Sequence, residues 1–325
     1  KWQWIMVDTI DTRIQYICEP IQEGMAEVTK ILNGMVQLTD LPTEANLLDH
    51  TLLGGGKKLR PAVTLLSANF SPHSPEAPII MATAVELLHI ASLVHDDTMD
   101  NSSVRHGRAT VNELWGDNVA VLLGDYIFAT SATYVCQTGN LRVIKRFSET
   151  IMELAKGELS EHFSTHDWDQ QIEEYMGRTY NKTASLFCTA SECGAILSGV
   201  PETISQMLRD YGYRLGMAFQ IIDDILDFEG TETELGKPVG NDLLQGKLTL
   251  PSIIFSQRYP REPVIKRLKN GSTELNDLQQ VVEMIRNSTA INDTLAVAKR
   301  FKEEALAALK TLKANRSRSS LEALT

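Results

Sequence analysis

The sequence predicts an all-α protein, built as one large helical bundle. Three observations carry this. Ile80, Ala84, Leu87, Ala91 and Val94 recur at steps of four and three, the period of a helix with one apolar face. No run of alternating β-branched residues bounded by hairpin turns is found, so no sheet is expected. The breaks in the pattern are spaced like connections within one bundle, and no Ser/Gly linker or tandem repeat divides the chain. Residues 1–325 are therefore read as a single domain.

Along the chain, LTDLPTEA at 38–45 closes the first helical stretch. LLGGGKKLRP at 52–61 is a glycine run leading into Lys57, Lys58 and Arg60, with Pro61 where a helix can start. FSPHSPEAP at 70–78 is a proline break before the periodic helix just described. CQTGN at 136–140 separates that region from ELAKGELSEHF at 153–163, again helical in pattern. SGVPET at 198–203, the stretch 230–247 and RYPREP at 258–263 supply further connections. FKEEALAALKTLKA at 301–314 is amphipathic, and the polar RSRSS at 316–320 is expected to fray.

Composition excludes some partners. Apolar residues make up 43% and charged ones 22%, ordinary for a globular chain, and the formal net charge is −11. Such a charge argues against a nucleic-acid backbone as partner but not against a small anion in a locally basic or metal-filled site. Cysteines at 18, 136, 188 and 193 form no CxxC pair, which suggests a reducing, cytoplasmic setting without disulfides. No apolar run reaches the roughly 20 residues needed to cross a bilayer, so no transmembrane segment is expected. KWQWIMVDTI is too short and mixed for a signal peptide, and it opens on Lys1, as a trimmed chain would.

One pentapeptide pattern occurs twice, as DDTMD at 96–100 and DDILD at 223–227. Each lies in an apolar helical run, LLHIASLVHDDTMD and MAFQIIDDILDF, where aspartates are costly unless a cation meets them. At about 100° per residue, Asp96 and Asp100 share a face, and so do Asp223 and Asp227. Two such pairs facing each other make a cage of hard oxygen ligands, chemistry for Mg²⁺ carrying a phosphorylated substrate rather than for zinc or copper. On the first helix Val85, His89 and Ser92 continue the stripe of Asp96; on the second, Gly216 and Gln220 continue that of Asp223.

Cations flank both motifs. The glycine run with Lys57 and Arg60 is not a Walker loop, since Lys58 stands where Ser or Thr is required, yet it can hold a diphosphate. VRHGRAT at 104–110 places Arg105 just after Asp100. NKTASLF at 181–187 offers Lys182 and Thr183 on an otherwise apolar helix, and GKPVGNDLLQGK at 236–247 adds Lys237 and Lys247, with Asp242 available to orient one of them.

In this order GGGKKLRP, ELLHIASLVHDDTMDNSSVRHG, NKTASLF, FQIIDDILD and GKPVGNDLLQGK resemble the trans-isoprenyl diphosphate synthases, from about residue 15 to beyond residue 260. The resemblance implies a homodimer of antiparallel helices around a central cavity, of the isoprenoid synthase type. It implies head-to-tail condensation of isopentenyl diphosphate with an allylic diphosphate, with three Mg²⁺ per active site once substrate is bound. It makes Asp96, Asp100 and Asp223 direct metal ligands, and Asp97, Asp224 and Asp227 less direct ones. It assigns Arg105, Lys182 and Lys237 to the allylic diphosphate, with Thr183 and Gln220 lining that site and Lys247 near its rim. Lys57, Arg60 and His89 bind isopentenyl diphosphate. The family has a second Arg after Arg105 for the same ligand; here His106 stands there, without the fixed cationic fork, which bears on tight binding and not on the reaction type.

Product length is expected to depend on what lies below Asp96. Ser92 is one turn down, about 6 Å along the axis, with Ala91 beside it. Small residues here leave a tunnel open, with Val85 deeper on the same face and Phe128 as a candidate floor. The expectation is a long-chain polyprenyl diphosphate synthase whose product is released through transient membrane contact. Alternatives are a short-chain geranylgeranyl or farnesyl diphosphate synthase, a class I terpene cyclase, and a non-catalytic synthase subunit. A cyclase consumes one diphosphate and has no use for the GGGKKLR and His89 set.

Overall fold

A computed structural model of the chain describes residues 12–37, 42–54, 56–105, 107–230 and 238–325. Helices account for nearly all of its regular structure. They are α1 (Gln22–Gln37), α2 (Pro42–Leu52), α3 (Leu59–Ala68), α4 (Glu76–Met99), α5 (Val111–Trp115), α6 (Asp117–Gln137), α7 (Leu141–Phe163), α8 (Ile172–Thr179), α9 (Ser185–Leu197) and α10 (Glu202–Glu229). Then follow α11 (Asn241–Leu244), α12 (Leu250–Arg258), α13 (Pro263–Lys269), α14 (Leu275–Arg286), α15 (Ala290–Lys310) and α16 (Arg316–Leu324). A π-helical turn, Tyr180–Ala184, runs from α8 into α9. The one sheet among the described residues is an antiparallel ribbon of β1 (Val104–Arg105) and β2 (Arg108–Ala109). Two residues per strand are too few to show alternation in the sequence.

The chain divides into two compact units. The first comprises Lys1–Thr150, Leu186–Gly212 and Leu306–Thr325. Its centre is α4, apolar on nearly every side, which packs most extensively on α6 and next on α3. Val85, Leu88 and Ala91 of α4 are fully enclosed, as are Leu66 of α3 and Phe187 of α9. Gly124 lets α6 come close to α4: a Cβ there would stand 2.1 Å from the His95 ring nitrogen.

The C-terminal segment corrects the expectation of fraying. RSRSS opens α16, where Asn315 caps the helix by accepting the Arg318 N–H at 2.7 Å. Ser317, Ser320 and Leu321 share one buried face, which docks on α3. Small hydroxyls at helical spacing fit a close helix contact even though the stretch reads as polar.

The second unit comprises Ile151–Ser185 and Tyr213–Ala305. Trp168, Tyr175, Met217, Ile221, Phe228 and Leu250 belong to its continuous apolar core. Helix α8 begins with a capping box between Gln171 and Glu174, and α12 packs on α8 and α14.

By length and composition, α4 and α6 are each long and apolar enough to cross a membrane, with mean hydropathy of 1.8 and 1.5 in their best windows. One or two such helices are weak evidence against the expectation of no transmembrane segment, because the buried core helix of a folded protein passes the same test. Most of the α4 window is buried inside the protein, and α4 ends on aspartates that hydrocarbon disfavours.

Candidate active site

In the first unit the motif DDTMD closes α4. Asp96 and Asp97 lie in its last turn and Asp100 is its C-cap, with its N–H donating to Asp96 O at 2.9 Å. Carboxylates at a helix C-terminus oppose the macrodipole, a local cost that an approaching cation reverses. Asp97 is 6% exposed and accepts the Arg105 Nε–H at 2.7 Å. It therefore aims the arginine that the β1–β2 ribbon presents beside the motif.

Further back on α4, His89 Nε2 lies 2.9 Å from Arg60 Nη1. A guanidinium only donates, so this ring nitrogen is the acceptor and the other carries the proton. The Arg60 guanidinium also lies 4.6 Å over the Phe187 ring. Burial pulls Arg60 down to about 10, with Glu86 opposing. Glu86, buried one turn before His89, is pushed up by burial against the pull of Arg60 and Lys58. Lys57 is exposed. Lys58 takes a left-handed conformation (φ 47°) at the N-cap of α3 and its Nζ donates to Thr29. A non-glycine residue held there is backbone strain of the kind found at ligand clamps. Helix α3 thus begins at Leu59, two residues before Pro61.

Of the tunnel residues, Val85 and Ala91 are fully buried, and the Ser92 hydroxyl donates to His89 O at 2.8 Å. Phe128 stacks against His95 with centroids 6.3 Å apart. That is the level of the acidic motif rather than of Val85, because close approach at Gly124 sets the two helices' register.

In the second unit Asp223 is exposed, whereas Asp224 and Asp227 are nearly enclosed. Asp224 accepts the Tyr175 hydroxyl at 2.6 Å and Gln220 Nε2 at 3.0 Å. Thr183 in turn donates to Gln220 Oε1 at 2.7 Å. Burial pushes the Asp224 carboxyl up to about 7, the two hydrogen bonds opposing and Asp242 and Asp223 adding to the rise. Asp227 accepts the Asp242 N–H at 3.2 Å, which ties α10 to the segment carrying Lys247.

Lys182 sits within the π-helical turn, not on a regular α-helix as expected. Such single turns of wider helix re-aim side chains and recur at functional sites. Gly157 of α7 makes room: a Cβ there would lie 2.7 Å from the Lys182 backbone nitrogen. Lys182 Nζ donates to Glu158 at 2.9 Å and Glu161 at 2.7 Å, and Lys247 Nζ lies 3.3 Å from Glu161. Burial raises Glu161, but Lys182 and Lys247 outweigh it and leave its carboxyl below the usual range. Glu158 stays raised by burial in spite of Lys182.

His106 and Lys237 lie outside the described residues. Sequence reasoning missed Glu86, Tyr175, Glu158 and Glu161. The last two stand three apart in ELAKGELSEHF, a one-face spacing that reads equally as a solvated helix surface.

Among the described residues no three His, Cys, Asp or Glu side chains gather so as to hold a metal on their own. The aspartates fit a hard cation that takes one or two carboxylates and fills its octahedron with substrate phosphate oxygens and water, as Mg²⁺ does.

A family model described as polyprenyl synthetase matches residues 42–285. The chain is 38% identical over 284 residues to heptaprenyl diphosphate synthase component 2 of Bacillus subtilis, covering 87% of this chain and 81% of that protein. Among solved structures it resembles a heptaprenyl diphosphate synthase from Staphylococcus aureus, with a TM-score of 0.88 and 32% identity over 93% of this chain and 96% of that one. A polyprenyl synthase from Caulobacter crescentus, complexed with calcium and isoprenyl diphosphate, gives a TM-score of 0.88 and 33% identity over 96% and 95%.

Proposed function

The chain belongs to the polyprenyl synthetase family, and on that premise we propose that it condenses isopentenyl diphosphate onto an allylic diphosphate to build a long all-trans polyprenyl diphosphate. The observation that carries this reading is the second set of cations. Arg60, held by His89 and Phe187, belongs to neither aspartate motif, and a reaction consuming one diphosphate leaves it without a task. Both compact units are assigned to one catalytic domain.

The roles follow from the chemistry of each group. Arg60, Lys57 and the Nδ1–H of His89 bind isopentenyl diphosphate, with His106 adding a donor. Arg105, aimed by Asp97, and Lys182, Lys237 and Lys247 hold the allylic diphosphate, whose pocket Thr183 and Gln220 line. Asp96, Asp100 and Asp223 are the metal ligands, with Asp97, Asp224 and Asp227 behind them. Mg²⁺, three per site with substrate bound, would be held by these aspartates and would supply the positive charge that offsets the leaving diphosphate. Ionisation of the allylic C–O bond leaves a carbocation beside an anion, a separation an apolar site resists unless donors already meet the leaving oxygens. The isopentenyl double bond attacks the cation, and the departing diphosphate takes the proton. No side-chain nucleophile is required.

The Bacillus subtilis relative is named as a component, which favours a second reading, that this chain needs a partner subunit. We propose that a second copy covers the apolar surface that Val121, Leu122 and Tyr126 of α6 expose, a surface that a different subunit would fit equally well. The deciding experiment gives the purified chain Mg²⁺, farnesyl diphosphate and labelled isopentenyl diphosphate and sizes the products. Products beyond geranylgeranyl length are expected; a four-unit product points to the short-chain reading. No elongation points to a partner requirement or a cyclase. Asp96→Ala should abolish turnover with an unchanged circular dichroism spectrum, and wild-type turnover in that variant removes the metal assignment.

A further inference from the structure

Two of the cations assigned to the allylic diphosphate are already engaged. Lys182 binds both Glu158 and Glu161, and Lys247 shares Glu161. All four side chains are at most one quarter exposed, so solvent screens them poorly. Two ammonium and two carboxylate groups sum to zero. Arg178, a further cation acting on Glu161, is committed to Ser164, Gln170 and Leu248 O. Asp223, Asp227 and Asp242 add carboxylates within the same unit. A diphosphate arriving by itself therefore meets no net positive charge from this cluster.

The cluster is also built rather than incidental. Glu158 and Glu161 stand three residues apart on α7, directly after the Gly157 that admits the Lys182 backbone. The π-helical turn then sets the height of the Lys182 stem on that helix. We propose that Glu158 and Glu161 are positioning residues: they hold Lys182 and Lys247 in place and cancel their charge, so that the allylic diphosphate is accepted only together with a divalent cation. This rests on the reading above that Lys182 and Lys247 grip that diphosphate. The benefit is kinetic order. A metal-free diphosphate would occupy the pocket without being able to ionise, and the glutamates keep it out.

The test is calorimetric titration of the full chain with farnesyl thiodiphosphate, an analogue whose C–S bond resists ionisation, in Mg²⁺ and in EDTA. The variants are Glu161→Gln and Glu158→Gln/Glu161→Gln, both nearly isosteric, with the single one serving if the double does not fold. Wild type should bind weakly in EDTA. Each neutralised glutamate should raise the EDTA affinity by about tenfold, the order expected for removing a poorly screened charge. Adding Lys182→Ala should abolish that gain. A merely structural role for the glutamates would lower affinity in both buffers. EDTA affinity that is unchanged or lower in the folded variants overturns the proposal, as does a gain that survives Lys182→Ala. If Lys182→Ala by itself leaves the Mg²⁺-supported affinity unchanged, the reading of Lys182 as a diphosphate ligand falls, and this inference with it. If Lys182→Ala weakens binding while the glutamate variants gain nothing, only this inference falls.

Discussion

Arg60 is fixed from two sides, by His89 at 2.9 Å and by the Phe187 ring at 4.6 Å. Lysine keeps the charge but loses the planar fork and the stacking. Arg60→Lys should raise the KM for isopentenyl diphosphate by about tenfold or more, the scale of one lost charge-assisted hydrogen bond, and leave the allylic KM unchanged. Equal effects on both substrates would place Arg60 outside a separate pocket. Behind it, burial raises the Glu86 carboxyl, and Arg60 and Lys58 offset this only in part. A carboxyl with a raised folded pKa loses stability as pH climbs from its unfolded value, about 4.3, through its folded one. The wild-type melting temperature should therefore carry a falling component over that window which Glu86→Gln lacks. Melting curves for the two proteins that stay parallel as pH rises from about 4 would show that Glu86 does not titrate in the folded protein over that range. Charge type and spacing made Arg60 and His89 legible in the sequence. Glu86 was not, because a lone acid in an apolar helix reveals its partner only when another helix arrives.

At the scale of elements, the π-helical turn and the α7 crossing form one device. Gly157→Ala puts a methyl 2.7 Å from the Lys182 backbone nitrogen, so α7 or the turn must move. We expect a loss of about 1–3 kcal/mol in denaturant unfolding, as for overpacking, and a raised allylic KM with the isopentenyl KM unaffected. Wild-type values for both would mean that the crossing relaxes freely. Helix α4 carries the face proposed to set product length. Ala91→Phe with Ser92→Phe should shorten the product, read by chromatography of the labelled prenyl alcohols; Ser92→Phe is the milder variant because Ala91 is fully enclosed. Unchanged chain length in both would end the tunnel argument. The period of α4 was plain from its residues, whereas the wide turn at Lys182 was not, since one extra residue per turn leaves no mark on so short a pattern.

For the whole molecule, the exposed apolar side of α6 is the surface that remains to be covered. Leu122 is 69% exposed and Tyr126 60%. As a test of the proposed homodimer, Leu122→Glu with Tyr126→Glu should leave the chain monomeric by light scattering. A dimer of undiminished stability would show that copies associate elsewhere. The negative net charge and the apolar interior helix were both evident from composition, but which apolar helix keeps an open side was not. The two candidate membrane-length helices look alike in sequence; packing encloses most of the α4 window and only a third of the α6 window.

The sequence by itself determined the helical class, the duplicated aspartates and the cations that flank them, because each depends on periodicity or on residue chemistry at short spacing. Tertiary structure decided how like residues differ. Asp97 is spent on Arg105 and Asp224 on Tyr175, while Asp223 stays exposed. It also decided that Phe128 lies beside His95, that the polar C-terminus is a docked helix, and that Lys182 and Lys247 are held by glutamates. The reason is physical: burial and electrostatic partners belong to neighbours brought together from distant parts of the chain, and a pattern along one helix specifies which face a side chain occupies but not what meets it there.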